Sequence, residues 1–267
     1  MDNPAPVLRI EAVRYSSPQC LSFAAGCLAD LDLRHQALSA LSGHGGWVGD
    51  GPNADHSREP GGYMISSDYD AVAAAIAGRL PSGRRVAVIG STQFWGSDSE
   101  EVCTAVGTRL AEIDEAVLLT GGVPGVGETV GRSFSERRQT LGRIARIFHV
   151  LPEGSDPWDY GVTLAAGADM EERREILGRL PAVFVAIEGG PGTAHEAAVA
   201  LSRGAVVIAV GRTGGHSESA YSSLGCPRAE LLEDWKKLND KAAAIDEIAT
   251  AVSRMVLRLT SPSGGEP

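Results

Sequence analysis

The chain has 267 residues, of which 43% are hydrophobic, and it carries a formal net charge of -10. This composition is sufficient for one large core, and it excludes a collagen, a coiled coil and a wholly disordered chain. The acidic balance argues against a surface that tracks nucleic-acid phosphates or anionic lipids, and no apolar run approaches the roughly 20 residues of a membrane span.

Residues 1–81 are predicted to form an N-terminal extension with an irregular pattern. Residues 8–17 are strand-like, residues 19–41 and 67–80 have helical patterns, and residues 42–62 are so rich in Gly, Asn, Asp and Pro that they predict a loop. Loops of that length are usually functional or mobile.

From residue 85 onward, short apolar runs of β type alternate with helical patterns. The runs are RVAVIGS, AVLLTGG, RIFHVLP, AVFVAIEGG and AVVIAVG, and the amphipathic helices are predicted at residues 98–113, 127–145, 168–180, 193–204 and 244–259. Strands that are apolar on both faces and separated by helices are typical of a parallel sheet covered on both sides. The sequence therefore predicts a doubly wound, Rossmann-like α/β domain over residues 82–260, followed by a disordered tail at 261–267.

Several features bear on partners and location. The dense basic segment, residues 135–147, has arginines at helical spacing, which are more often a solvated helix face than a nucleic-acid surface. The N-terminus lacks the regions of a signal peptide, so we expect a cytoplasmic protein that binds neither nucleic acid nor membrane. Because the four cysteines form no CxxC and no zinc spacing, we expect reduced thiols and no metal.

Polar and glycine residues follow the apolar runs, where ligands bind in an open α/β sheet. Ser91 follows the first run, and two glycine-rich turns, TGGVPGVGET at residues 120–129 and GGPGT at residues 189–193, each lead into a helix. Glycines allow close approach of backbone amides, and a helix N-terminus favours an anion. Two such turns in one sheet indicate a phosphate-bearing ligand. Neither matches GxxxxGK[ST] or GxGxxG, so we expect no P-loop ATPase, no dehydrogenase and no cofactor.

Three motifs resemble those of the LOG proteins, the cytokinin-activating nucleoside 5′-monophosphate phosphoribohydrolases formerly described as lysine decarboxylases. TGGVPGVGET is similar to their TGGGPGIMEA turn, EGGPGTAHE at residues 188–196 to their PGGxGTxxE signature, and MEERR at residues 170–174 to their MHERK helix. The motifs occur in the family's order, over roughly residues 85–247, and together they are specific for the wider SLOG superfamily.

The resemblance implies a site for hydrolysis of an N-glycosidic bond, with a free base and ribose 5-phosphate as products and a homodimer as the assembly. Arg173 and Glu196 would flank the ribose as the catalytic residues. Glu128 would bind ribose hydroxyls. The remaining phosphate- or nucleotide-binding candidates are Ser91, Gly121, Gly122, Gly125, Gly189, Gly190, Gly192 and Thr193.

Each candidate has a structural alternative. Glu196 falls in the first turn of its predicted helix, where a carboxylate complements the helix dipole. Arg173 belongs to an alternating charged segment that is ordinarily an exposed face, and Glu128 could cap a helix. Trp158 and Tyr160 could stack on a base, and His195 and His216 could donate a proton to the leaving base, although a structural role is the ordinary interpretation of each.

The sequence departs from the family pattern in each of these motifs. VGET, at residues 126–129, lacks the methionine of IMEA. Glu188 stands where the signature has proline, which adds a carboxylate beside the expected phosphate site, and Glu171 replaces the histidine of MHERK. These departures leave a second hypothesis open, because the superfamily also includes nucleotide sensors and molybdenum-cofactor carriers that bind without turnover.

Overall fold

The computed structural model describes residues 66–261 of the chain. The strand, helices and loop expected within residues 1–62, and the tail beyond residue 261, lie outside the described residues. The boundaries of the N-terminal extension and of the nucleotide-binding domain therefore stay predictions.

The described residues form one six-stranded sheet in which all strands are parallel and run in the order β4-β3-β2-β1-β5-β6. The strands are β1 (Arg84–Gly90), β2 (Ala116–Thr120), β3 (Ile147–Leu151), β4 (Val162–Ala165), β5 (Val183–Ile187) and β6 (Val206–Val210). The central strands are buried on both faces, as the continuous apolar runs predict. The doubly wound α/β fold expected from the sequence is confirmed.

Helices cover both faces of the sheet. They are α1 (Ser66–Ala77), α2 (Ser99–Glu112), α3 (Val126–Thr140), α4 (Met170–Leu177), α5 (Pro191–Ser202), α6 (Gly215–Leu224), α7 (Leu232–Lys237) and α8 (Ile245–Leu259). The largest apolar cluster joins α2, α3 and α8 to the sheet. The helices α1, α4 and α5 pack on one another and on β1, β3 and β5. This division follows from the reversal of chain direction between the two halves of a right-handed doubly wound sheet.

The structure corrects the sequence analysis at four places. Strand β4 was not expected; it is a four-residue edge strand whose side chains are mostly half-buried, so it has no apolar run. Helix α3 ends at Thr140 rather than 145, because Gly142 adopts a φ of 64° just beyond it. Helix α5 begins two residues earlier than expected, with Pro191 in its first turn. Residues 211–238, to which no element was assigned, contain α6, α7 and two 3₁₀ turns.

The basic segment at the end of α3 is engaged within the chain. Arg137 donates to Glu112 (2.6 Å), the buried Arg138 donates to the carbonyl of Ile113 (2.7 Å), and Arg143 forms an ion pair with Asp114 (3.0 Å). Arg143 is exposed, as expected of a solvated helix face, whereas Arg138 is buried and departs from that expectation. Within residues 66–261, no helix is both long enough and apolar enough to cross a membrane.

The fold locates the crevice at which ligands bind in such sheets. Strand β1 pairs with β2 on one side and with β5 on the other, so the chain reverses its direction of travel across the sheet between β1 and β5. Ligands of open parallel sheets bind outside the carboxyl ends of the strands at this reversal. The segments that follow β1 and β5 therefore form the region of interest.

Candidate functional site

A cleft of about 280 Å³ opens at this point, and it is lined by residues that follow β1, β2 and β5. Most sequence-predicted site residues line it: Ser91, Gly121, Arg173, Gly190, Gly192, Thr193 and Glu196. Four others do not line it: Gly122, Gly125, Glu128 and Gly189.

Two helix N-termini converge on the cleft. In α5 the first helical hydrogen bond runs from the Ala194 amide to Gly190, so the amides of Gly192 and Thr193 precede the hydrogen-bonded part of the helix. In α3 the corresponding bond runs from the Thr129 amide to Gly125. The Val126 amide of α3 already donates to the carbonyl of Ser91 (3.0 Å). The amides that precede the hydrogen-bonded part of α5, with the positive ends of two helix dipoles, favour an anionic ligand.

The floor of the cleft contains an ion pair between Arg173 and Glu196. One guanidinium nitrogen, Nη1, bonds to the Glu196 carboxylate, and Nη2 donates to the carbonyl of Gly121 (2.8 Å). Both side chains are buried, Arg173 being 1% and Glu196 6% exposed. A β-carbon at Gly121 would lie 2.6 Å from Nη2, so any larger residue there would force the guanidinium or the turn to shift.

The expectation that Glu196 lies in the first turn of its helix is wrong. Because α5 begins at Pro191, Glu196 lies in the second turn, and its carboxylate bonds to Arg173 rather than to the helix terminus. Burial raises the pKa of Glu196 above its ordinary value, and the Arg173 guanidinium opposes that rise. Because arginine remains protonated in proteins, Arg173 is a permanent positive charge beside the Glu196 carboxyl group.

A chain of buried polar groups holds the first glycine turn. The Gly122 amide donates to Thr120 Oγ1 (3.1 Å), Thr120 Oγ1 contacts His149 Nδ1 (2.7 Å), and His149 Nε2 contacts the carbonyl of Tyr160 (3.1 Å). Since a carbonyl only accepts, His149 carries its proton on Nε2 and accepts from Thr120. Burial lowers the pKa of His149 to about 4, so the ring is neutral at physiological pH.

The aromatic residues considered for base stacking have structural roles in this turn. Trp158 Nε1 donates to the carbonyl of Gly122 (2.8 Å), and the Tyr160 hydroxyl donates to the carbonyl of Glu128 (3.2 Å). Neither residue lines the cleft. Glu128 forms an ion pair with Arg132 (2.9 Å), whose guanidinium lies 4.7 Å from the centre of the Tyr160 ring.

The two histidines considered as proton donors lie outside the cleft lining. His195 Nε2 lies 2.6 Å from Glu175 Oε1 and links α5 to α4. The amide of His216 donates to the carbonyl of Gly189 (2.7 Å) and so supports the second glycine turn from α6.

Glu188 points away from the expected phosphate site. Its fully buried carboxylate accepts hydrogen bonds from the hydroxyls of Ser91 and Ser99 and from the amides of Trp95 (3.0 Å) and Gly96 (2.9 Å). Burial alone raises the pKa of Glu188, but these four hydrogen bonds outweigh it and hold the pKa below its ordinary value. The carboxylate is therefore a charged brace for the segment after β1.

The backbone at Glu188 also differs from what a proline allows. Glu188 has a φ of 54°, in the left-handed region that non-glycine residues rarely adopt. Proline fixes φ near −65°. The structure therefore has a local conformation at this position that the family's proline does not permit.

Residues 83–236 match the model of the SLOG cluster4 family, which is more than half of the chain. The chain belongs to the SLOG cluster4 family. Membership of the wider SLOG superfamily, which the three motifs predicted, is thereby confirmed.

Solved structures resemble this SLOG chain in fold. A structural-genomics target, TM1055, has 23% identity and a TM-score of 0.48, over 64% of this chain and 99% of that one. The molybdenum cofactor carrier protein from Chlamydomonas reinhardtii has 23% identity and a TM-score of 0.47, over 65% and 98%. DNA processing protein A from Streptococcus pneumoniae has 16% identity and a TM-score of 0.37, over 47% and 49%. No curated protein matches the sequence.

The SLOG cleft also contains residues that the sequence analysis did not select. Arg174 lines it, and its guanidinium nitrogen Nε lies 3.0 Å from where a β-carbon on Gly192 would be. No hydrogen bond or ion pair to the Arg174 guanidinium occurs among residues 68–261. The basic residue that ends the MHERK motif is the signal that could have indicated it. Trp95, at the rim of the cleft, is a second lining residue that was not selected from the sequence.

The described part of this SLOG chain has no group of three or more His, Cys, Asp or Glu side chains arranged to hold a metal ion. The polar groups that line the cleft are backbone amides, hydroxyls, two arginines and one carboxylate. This set suits an anionic organic ligand.

Proposed function

We propose that this SLOG chain is a phosphoribohydrolase that cleaves the N-glycosidic bond of a nucleoside 5′-monophosphate. The observation that carries the proposal is the Arg173–Glu196 pair, buried in the floor of a cleft on which two helix N-termini converge. The motif resemblance to the LOG proteins supports the same activity.

The 5′-phosphate is assigned to the second glycine turn. The amides of Gly192 and Thr193 offer two donors at the positive end of α5, and the Arg174 guanidinium lies beside Gly192 with no partner among residues 68–261. A guanidinium matches two phosphate oxygens at once, which fixes the orientation of the phosphate as well as binding it.

Glu196 is assigned to the reacting sugar. In the reaction the bond between C1′ and the base breaks, its electron pair leaves with the base, and a water oxygen bonds to C1′. A carboxylate near C1′ stabilises the oxocarbenium character of the sugar or accepts a proton from the water. Glu196 lines the cleft, and within residues 68–261 its second oxygen, Oε2, makes no hydrogen bond. Burial raises its pKa, so it is a stronger base than an exposed glutamate.

Arg173 is assigned to orientation of Glu196 and contact with the ribose. Two of its nitrogens are bonded to Glu196 and to Gly121, so they hold the carboxylate in place rather than bind phosphate. Its Nε is buried and has no partner among residues 68–261. A ribose hydroxyl or a bound water is the kind of acceptor that this group lacks.

The second candidate function is nucleotide binding without turnover, as in a sensor or a molybdenum-cofactor carrier. The engagement of both Nη atoms of Arg173 within the protein favours it, since the pair is then a structural element beneath a binding site. The two candidates differ in one measurable property, which is release of a free base.

The test is incubation of the purified protein with AMP, CMP, GMP, UMP and N6-isopentenyladenosine monophosphate, with products separated by chromatography. We expect release of base from at least one, and loss of release in Glu196→Gln, with circular dichroism confirming that the variant is folded. Inactivity on every substrate together with tight nucleotide binding would establish the second candidate instead.

Arg174→Ala tests the phosphate assignment separately. A hydrogen bond to a charged group contributes about 1.5–3 kcal/mol, so KM is expected to rise about 10- to 100-fold with a smaller change in kcat. Arg254→Ala is the matched control, because its side chain is 63% exposed on α8. By resemblance we also expect a homodimer, which light scattering measures directly.

A further inference from the structure

Trp95 is the most exposed large apolar side chain of the described residues. It is 58% exposed and lies at the rim of the cleft. Exposure of an indole ring is unfavourable for a soluble protein, since burial of an aromatic ring of this size contributes several kcal/mol. At the mouth of a cleft, such a ring can contact a bound ligand.

One side of the indole ring is seated on backbone. A β-carbon at Gly215 would lie 2.5 Å from its Cζ3 atom, and one at Gly190 would lie 3.8 Å from its Cη2 atom. Gly215 has a φ of 62°, which few other residues tolerate. Two glycines therefore form a flat seat for the ring, and Gly190 belongs to the turn assigned to the phosphate.

The backbone of Trp95 is held independently of the ring. The Trp95 and Gly96 amides both donate to Oε1 of Glu188, and the hydroxyls on either side of them, Ser91 and Ser99, bond to the same carboxylate. The brace is anchored in turn, because the carbonyl of Glu188 accepts hydrogen bonds from the amide (3.1 Å) and hydroxyl (2.8 Å) of Ser217. The rim that carries Trp95 is thus fixed before any ligand enters.

We propose that Trp95 is the stacking platform for the planar base of a phosphate-bearing ligand, and that Glu188 is the positioning residue that holds it there. This inference rests on the proposed function for the place of the phosphate. Gly192 and Thr193, whose amides would bind the phosphate, lie two and three residues after Gly190, against which Trp95 packs. Stacking accepts any base, but a purine offers the larger overlap, so the ligand class is a purine nucleoside 5′-monophosphate.

Binding calorimetry tests Trp95 with two phosphate-bearing probes, of which only the first carries a base. The first is the carbocyclic analogue of AMP, whose cyclopentane ring cannot form an oxocarbenium ion, and the second is ribose 5-phosphate. Trp95→Leu is expected to weaken the analogue about 5- to 100-fold, the range of base–aromatic stacking, and to leave ribose 5-phosphate unchanged. Trp95→Phe is expected to retain most of the affinity. Equal losses for both probes, or no loss for the analogue, would overturn the inference.

A double-mutant cycle tests Glu188. Glu188→Gln keeps the size of the side chain and removes its charge, and it is expected to weaken the analogue in the wild-type chain but not in Trp95→Leu. Ser99→Ala removes one donor of the brace without touching the cleft, and it serves if Glu188→Gln does not fold. Losses that persist in Trp95→Leu, or that are equal for ribose 5-phosphate, would assign Glu188 to the glycine turn alone.

The two proposals fail separately. If no nucleotide is hydrolysed but Trp95→Leu weakens the analogue selectively, the stacking platform stands and the hydrolase proposal is wrong. If AMP is hydrolysed with a kcat/KM that Trp95→Leu leaves unchanged, the hydrolase stands and the platform is wrong.

Discussion

Removal of one member of the Arg173–Glu196 pair is expected to be far more damaging than removal of both. Arg173→Met leaves a buried carboxylate without its cation, and Glu196→Leu leaves a buried guanidinium without its anion. Each change costs about 3–5 kcal/mol, against a total stability of about 5–15 kcal/mol for a domain. With both replaced, the main remaining cost is the Gly121 carbonyl that loses its donor, about 1–3 kcal/mol. The double variant is therefore expected to be more stable than either single variant.

The cost of Arg173→Met depends on pH in a direction that the structure determines. Burial raises the pKa of Glu196, and without the guanidinium nothing nearby opposes that rise as strongly. A folded-state pKa above the unfolded value means that the folded chain binds the proton better. Stability is then fully present below the unfolded pKa, near 4.5, and is lost as the pH rises through the folded pKa. Arg173→Met is expected to be less destabilised at pH 5 than at pH 8.

The assay is urea denaturation of the four proteins of the cycle, followed by circular dichroism at both pH values. Arg109→Met provides the control, because the Arg109–Asp246 pair is exposed and its loss costs only about 0–1 kcal/mol. A double variant less stable than both single variants would refute the reasoning, since the two side chains would then contribute independently.

Two further predictions concern the first glycine turn. Gly121→Ala is expected to lower stability by about 1–3 kcal/mol, because the new β-carbon would lie 2.6 Å from the Arg173 guanidinium. Gly127→Ala is the control, since its β-carbon would contact only Thr120, at 3.6 Å, and it is expected to be neutral or stabilising. Thermal denaturation measures both. The contribution of His149 to stability is also expected to fall by about 2 kcal/mol between pH 7 and pH 5. The pKa of His149 is about 4 in the folded chain and 6.5 in the unfolded chain. This contribution is therefore lost as the pH falls from the unfolded pKa through the folded pKa. Urea denaturation at the two pH values measures this, and a fall of equal size in His149→Gln would contradict the assignment.

Much of the fold was predictable because a parallel sheet covered on both sides requires apolar residues on both faces of its strands. Five of the six strands are continuous apolar runs, and the runs were recognisable without any tertiary information. Strand β4 was not, since an edge strand with half-buried side chains has no such run. The order of the strands was also beyond reach, because no local pattern states which strand lies beside β1.

The candidate site was predictable where a motif reflects a requirement of the backbone. It was not predictable where the direction of a side chain decides its contacts. Glycines at turns reflect space and φ, so Gly121, Gly190 and Gly192 were identified and all line the cleft. The direction of the Glu188 carboxylate was misjudged, because the sequence places it beside a phosphate turn while its hydrogen-bond donors come from the segment after β1. Arg174 was not selected because the sequence does not show which of two adjacent arginines faces a neighbouring helix. That depends on how α4 packs.

The left-handed backbone at Glu188 limits which residues position 188 can accept. Proline is confined to a φ near −65°, whereas Glu188 has a φ of 54°, so proline cannot replace Glu188 without a change of the local backbone. Glycine is the residue that adopts both conformations without strain. Glycine at position 188 is therefore expected to keep the backbone between β5 and α5, whereas proline is expected to change it.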